Sequence, residues 1–464
     1  MKVLWICNTV LPAIASQLGL EETNKEGWLS GLCSALLEND EDGQIELAIA
    51  APVGGNKTGE DHIPVGIPVH LVNGEVTFYG FYEETDHPEE YDEKLKDELI
   101  SITNRFEPDV IHCFGTEYPH TMAICEGYPD KNRILVGIQG LCSVYADAYY
   151  ASLPPEIIER VTLRDRIRHD KIEEQHDKFV MRGETEIRSL QSAGNITGRT
   201  EWDRYYANLW NPEATYYFMN ETLRQEFYQD IWDLEKANPH RIFISQGDYP
   251  IKGLHYMLKA MPLLLEQYPD TQVYVAGNRI TRHGTLKEKL KLSSYGKYLL
   301  ELIKELDLED HVTFLGKLDA FRMKQEFLKS GLYMCCSTIE NSPNSLGEAM
   351  LLGMPCVAAD VGGIPDIFTD GVDGILYRGF HTNASDFDTK GGTEEVEESS
   401  LEEIAQRLAE AVLYMWEDEE RHAYYCEIAR NHALQTHDGA ANVARLRQIY
   451  KDIKGKSTVR EDEA

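Results

Sequence analysis

Two successive series of short, apolar runs rich in Val, Ile and Leu, spaced by longer helix-like stretches, constrain this chain more than any other feature. The first series is Val3–Cys7, Ile45–Ala50, Val69–Val72, Val110–Phe114, Ile134–Ile138 and Asn195–Thr197. The second is Ile242–Ser245, Gln272–Ala276, Val312–Leu315, Leu332–Cys336, Cys356–Ala359 and Gly374–Tyr377. Strands alternating with helices predict parallel sheets, and near-continuous apolar strands are those covered on both faces. The expected fold is α/β: two doubly wound parallel-sheet (Rossmann-like) domains, over 1–220 and 221–435. The join is expected near Asn211–His240, where Pro212 and Pro239 flank a polar, aromatic-rich stretch. Val443, Leu446, Ile449, Tyr450 and Ile453 form a stripe at helical spacing, which predicts a packed last helix within 436–464 before a polar tail.

Composition narrows the function. The 464 residues carry 45 Lys+Arg against 79 Asp+Glu, a formal charge of −34. So acidic a chain disfavours nucleic acid as a partner. No apolar run reaches the roughly 18–20 residues that span a bilayer. Met1–Cys7 reads as a buried first strand, not a secretory leader, because Asn8, Thr9 and Pro12 interrupt the apolar stretch. The nine Cys include no C-x-x-C pair, so a reducing, cytoplasmic compartment is expected.

The stretch from Ser337 to Pro355 carries the most chemistry. It follows an apolar strand, Ser342 or Asn344 is the expected N-cap, and Gly353 with Pro355 is a helix stop. The N–H groups of Asn344, Ser345 and Leu346 would then point free at the strand's carboxyl end and form an anion site. Glu348 is placed in the first turn, where a carboxylate can accept both hydroxyls of a ribose. Glu340 falls on the loop before the turn, at the edge where open α/β sheets bind ligands.

Glu340 and Glu348, followed by Ala349-Met350 and by Gly353-x-Pro355, resemble the retaining nucleotide-sugar glycosyltransferases of family four, of the polysaccharide-biosynthesis type. Asp360-Val361-Gly362-Gly363-Ile364-Pro365-Asp366 is similar to the Gly-Gly-x-Pro-Glu turn of that family, and Tyr249-Pro250-Ile251-Lys252-Gly253 to its Lys-Gly phosphate motif. The resemblance is strong over Ile242–Met415 and loose in the first domain. It implies a B-type fold of two Rossmann domains facing a central cleft, with the last helix crossing back to the first domain. It also implies transfer of a sugar from a nucleoside diphosphate, a UDP-sugar favoured, to a saccharide or lipid-linked acceptor. No metal and no separate cofactor is implied. By the same resemblance Lys252 and Glu340 are catalytic: Lys252 holds the leaving diphosphate, and Glu340 positions the sugar. Glu348 holds the ribose, Gly316 faces the base, and Gly27 belongs to the loop under the diphosphate. Where the family has an Arg before the Lys, this chain reads Gln246-Gly247-Asp248, which makes Arg279 and Arg199 the candidate cations. Gln139 stands where the family often has a His. An epimerase or a non-catalytic nucleotide-sugar binder of the same fold are the alternatives.

Weaker signals complete the reading. Glu83–Glu98 is read as a solvated acidic face, and Asp386–Glu403 as a low-complexity surface insertion whose Asp386-x-Asp388 is not taken as a metal site. Pro52–Thr58 reads as a turn. Glu117 and His120 lie just past a strand and are read equally as acceptor-binding residues or as a polar strand end, while His169 and His176 are expected in solvent. Arg160–Arg204 concentrates cations and is the candidate for a peripheral membrane contact, against a plain salt-bridged helix face.

Overall fold

The computed structural model describes residues 1–20, 27–40, 43–53, 66–380 and 399–461, so the Asp386-x-Asp388 spacing and most of the Pro52–Thr58 turn lie outside the described residues. The chain divides into two compact units. One comprises Met1–Val144, Phe179–Arg224 and His437–Ala464, and the other Tyr145–Lys178 and Gln225–Thr436. The stretch 145–178, which sequence order assigns to the first domain, packs with the second unit instead. Its contacts explain why: Asp165 accepts the Ser294 N–H at 2.9 Å, and the Ala151 carbonyl lies 2.8 Å from His255 Nε2.

The first unit is built on an eight-stranded sheet, and the second on a six-stranded one. The first contains β1 (Lys2–Ile6), β2 (Glu46–Pro52), β3 (Ile67–Leu71), β4 (Gly74–Phe81), β5 (Val110–Phe114), β6 (Ile134–Gly137), β7 (Asn195–Gly198) and β8 (Thr215–Phe218). Their order is β3-β4-β2-β1-β5-β6-β7-β8, parallel except for the β3–β4 hairpin. Two of these strands are additions to the sequence reading. β4 (Gly-Glu-Val-Thr-Phe-Tyr-Gly-Phe) is interrupted by polar residues and Gly80, and β8 sits inside the stretch read as the join. Both are held by neighbouring strands more than by their own apolar pattern.

The second sheet comprises β9 (Asn238–Ile244), β10 (Gln272–Ala276), β11 (Val312–Gly316), β12 (Ser330–Cys335), β13 (Cys356–Asp360) and β14 (Ile375–Arg378). The order is β11-β10-β9-β12-β13-β14, all parallel. The chain runs outward from β9 in one direction and then from β12 in the other, so β9 and β12 flank the topological switch point where such sheets bind ligands.

The C-terminal helix Gly439–Glu461 belongs to the first unit. Its Val443, Leu446, Ile449, Tyr450 and Ile453 are buried in one core with Val3, Trp5, Phe78 and Phe114. Trp5 Nε1 donates to the Tyr450 hydroxyl at 2.8 Å, which fixes the helix on the first strand.

Candidate active site

In the second unit, Lys252 and Glu340 follow the two strands of the switch point. Lys252 ends the short 3₁₀ turn Pro250–Lys252 after β9, and Glu340 lies on the loop after β12. Their side chains form a largely buried ion pair. Glu340 also accepts from Ser337 Oγ at 2.8 Å, and the Lys252 ammonium lies 5.7 Å from the centre of the Tyr249 ring. Burial by itself would pull the lysine pKa down. The Glu340 carboxylate, with Tyr249 and Tyr145, outweighs it and holds Lys252 well above the usual lysine range, so the cation is locked on.

Two glycines make this pairing possible. A Cβ on Gly253 (φ +67°) would lie 1.8 Å from the Cys336 carbonyl oxygen, and one on Gly362 (φ +54°) 2.0 Å from the Glu340 carbonyl oxygen. Only glycine fits either place. The Gly363 N–H donates to the same Glu340 carbonyl at 3.0 Å, and the Thr338 N–H to the Ile251 carbonyl at 2.8 Å. The Asn341 N–H donates to the Tyr145 hydroxyl at 3.1 Å. The Lys-Gly turn and the Gly-Gly turn thus clasp the Glu340 loop from either side.

The helix after that loop is Asn344–Leu352, and its N-cap is Pro343, not Ser342 or Asn344 as the sequence suggests. Proline has no side chain to cap with, and its fixed φ suits the residue before a first turn. The Leu346 N–H donates to the Pro343 carbonyl at 2.9 Å, so it is engaged within the turn and is not an open donor. The amides of Asn344 and Ser345, as the first two of the helix, remain at its positive end. Ser345 Oγ accepts from the Tyr333 hydroxyl at 2.7 Å. Glu348 is the fifth helical residue, past the first turn, and its side chain is buried, 3% exposed. At the end of β11, Arg279 covers Gly316: a Cβ there would lie 2.5 Å from Arg279 Nε, and the guanidinium donates to the Leu315 carbonyl at 2.9 Å. Arg279 is exposed and stands one strand away from Lys252.

The remaining site residues lie in the first unit. Gly27 lies in helix Gly27–Glu38 and not in a loop, and a Cβ there would lie 2.7 Å from Arg224 Cδ. Gln139 follows β6, and its carbonyl accepts from Arg199 at 3.3 Å. Arg199 is not an available phosphate ligand, because it forms a buried ion pair with Glu221. Glu83, read as a solvated acid, is buried and accepts both the His120 N–H, at 2.9 Å, and His120 Nδ1, at 2.7 Å. Glu117 is half-buried, and the burial of its carboxyl raises its pKa. His169 is exposed as expected, whereas the half-buried His176 stacks on Tyr150 with ring centres 4.7 Å apart. The Arg160–Arg204 segment is divided between the units, and most of its cations are paired: Arg160 with Glu301, Arg164 with Asp165 and Asp170, Arg188 with Glu126, Arg204 with Glu201.

Two parallel-sheet α/β units, the second with a lysine, a carboxylate and an open helix terminus at its switch point, define the B-type glycosyltransferase fold. Residues 227–388 match the profile of the family "Glycosyl transferases group 1". N-acetyl-alpha-D-glucosaminyl L-malate synthase of Bacillus anthracis is 30% identical over 33% of this chain and 34% of its own. A D-inositol 3-phosphate glycosyltransferase of Mycolicibacterium vanbaalenii is 32% identical over 28% of each chain. The aligned segments thus span about a third of these relatives' own lengths. Among solved structures, sucrose-phosphate synthase from Thermosynechococcus elongatus superposes with TM-score 0.65 at 14% identity, covering 98% of this chain and 100% of that one. Anabaena HepE in complex with UDP gives TM-score 0.60 at 15% identity over 97% and 100%. At these identities the structural likeness speaks for the fold.

Proposed function

We propose that the protein is a retaining, metal-independent glycosyltransferase. It moves a sugar from a nucleoside-diphosphate sugar, a UDP-sugar favoured, to a hydroxyl of a saccharide or lipid-linked acceptor, in the cytoplasm and in polysaccharide biosynthesis. The observation that carries this reading is the Lys252–Glu340 pair clasped at the switch point beside the open end of helix Asn344–Leu352. Cleaving the sugar–phosphate bond leaves a diphosphate that gains negative charge. A locked ammonium and preorganised amides stabilise that charge where it develops, and supply locally what a metal ion would supply. Glu340, held by Lys252 and Ser337, presents a fixed carboxylate edge to the sugar hydroxyls. No side chain is assigned as nucleophile, and the acceptor hydroxyl attacks on the face the diphosphate leaves. UDP-bound HepE, of the same fold, supports the choice of UDP. The test is product NMR from an α-linked UDP-sugar in EDTA: an α-linked product at an unchanged rate is expected. A β-linked product would overturn retention, and loss of turnover in EDTA would overturn metal independence.

A peripheral membrane contact belongs to this proposal, with its place revised. Leu163, Ile167, Leu286 and Leu290 are exposed, Ile167 by 70% and Leu286 by 76%, among exposed Arg166, Arg168, Arg282, Lys287, Lys289 and Lys291. The Asp165–Ser294 hydrogen bond joins the two segments. Apolar side chains ringed by cations suit an anionic bilayer surface, at about 1 kcal/mol per cation. Reversing Lys287, Lys289 and Lys291 to Glu should cut sedimentation with phosphatidylglycerol vesicles by about tenfold or more. Unchanged sedimentation would remove the contact.

A further inference from the structure

We propose that a small pocket in the first unit is a subsite for one hydroxyl of a neutral polyol acceptor, which deepens the glycosyl-transfer reading and rests on it. The pocket lies at the carboxyl edge of β5, β6, β7 and β8, beside Trp28, and its polar lining is His112, Gln139, Thr197, Arg199 and Glu221. It offers about 20 Å³ to the centre of a water-sized sphere, enough for one water or one hydroxyl and too little for a whole sugar ring.

The hydrogen-bond chain behind the pocket sets what it can bind. Trp5 Nε1 can only donate, so the Tyr450 oxygen accepts from it at 2.8 Å and directs its own proton to His112 Nδ1, also at 2.8 Å. His112 therefore carries its proton on Nε2. Full burial lowers its pKa to about 3, so the ring is neutral at any working pH. That Nε2–H is buried without a partner, and so is Thr197 Oγ1. A Cβ on Gly137 would stand 3.4 Å from His112 Nε2, so the glycine leaves this edge of the ring clear.

Arg199 and Glu221 face each other as an ion pair, yet Arg199 Nε and Nη1 and both Glu221 oxygens lack a well-aligned hydrogen bond. Buried polar atoms in such number demand a partner. Because the pair cancels its own charge, the pocket favours a neutral group over a carboxylate or phosphate. A hydroxyl meets the need on both sides: it accepts from His112 Nε2–H and donates to Glu221 or Thr197. Trp28 offers an apolar wall of the kind sugars rest on.

The test uses the full chain with ¹⁵N-labelled histidine, titrated with myo-inositol, glycerol and L-malate, with UDP affinity measured in parallel. Myo-inositol or glycerol should shift the His112 Nε2 resonance and L-malate should not. Thr197→Val, which keeps the side-chain shape, should weaken polyol binding tenfold or more while UDP affinity stays within twofold. Tyr450→Phe should shift the ring toward the other tautomer and weaken the polyol alone. No shift with any polyol means an ordered water only and overturns the proposal, as does an equal response to L-malate or an unaffected Thr197→Val. With UDP binding intact, those results leave the transferase reading standing. Failure of the wild-type chain to bind any nucleoside diphosphate would strike that reading instead.

Discussion

Replacing Lys252 with methionine should lower kcat by about 10²–10³-fold, the usual cost of removing one preorganised donor from a developing anion, about 2.7–4 kcal/mol. Methionine keeps most of the side-chain volume, so the effect reads the charge and not a cavity. The loss should fall on kcat more than on KM, since the charge on the diphosphate grows only as the bond breaks. Glu340→Gln should behave differently. In the wild-type protein Glu340 holds the Lys252 pKa above its unfolded value. The contribution of the Lys252 charge to stability is therefore complete below the ordinary lysine pKa, and is lost only as pH rises through the raised folded value. No pH limb from Lys252 is expected near neutrality. Without the carboxylate, burial is the largest influence left and pulls Lys252 down. The Glu340→Gln enzyme should thus lose activity on the alkaline side at lower pH than the wild type. A Lys252→Met enzyme within threefold of wild-type kcat would refute the role given to the ammonium.

The sequence is most informative where chemistry and local pattern coincide. The strands of the second sheet, the Lys-Gly turn, Glu340 and the Gly-Gly turn all stand at strand-to-helix edges; alternation places the strands, and the resemblance to family four singles out the two turns. The clasp itself is not legible. Gly253 against Cys336 and Gly362 against Glu340 are contacts between segments far apart in sequence, and periodicity carries no record of them. Pairing hides other features in the same way. Glu83 is one acid in an acidic run, and only its reach to His120 takes it out of solvent. Arg199 reads as a spare cation until Glu221 is seen against it. Tyr450 looks like one more core residue in the helical stripe, and its hydroxyl between Trp5 and His112 is visible only in three dimensions. The cap of helix Asn344–Leu352 misleads because Ser342 and Asn344 are good capping residues, yet Pro343 between them fixes the turn.

Glu348→Ala should abolish nucleotide stabilisation altogether. In the proposed function this buried carboxylate, in the helix at the switch point, would take the ribose hydroxyls, and alanine offers no acceptor. The most direct test of a donor nucleotide site in the second unit is thermal unfolding in EDTA with UDP, GDP and ADP in turn, on the wild type and on Glu348→Ala. At 100 times its Kd a ligand stabilises the unit that binds it by about 2.7 kcal/mol. A clear rise in Tm with one nucleoside diphosphate, UDP being expected, and no rise in Glu348→Ala is the predicted result. No rise with any of the three, or an equal rise in the variant, would contradict it.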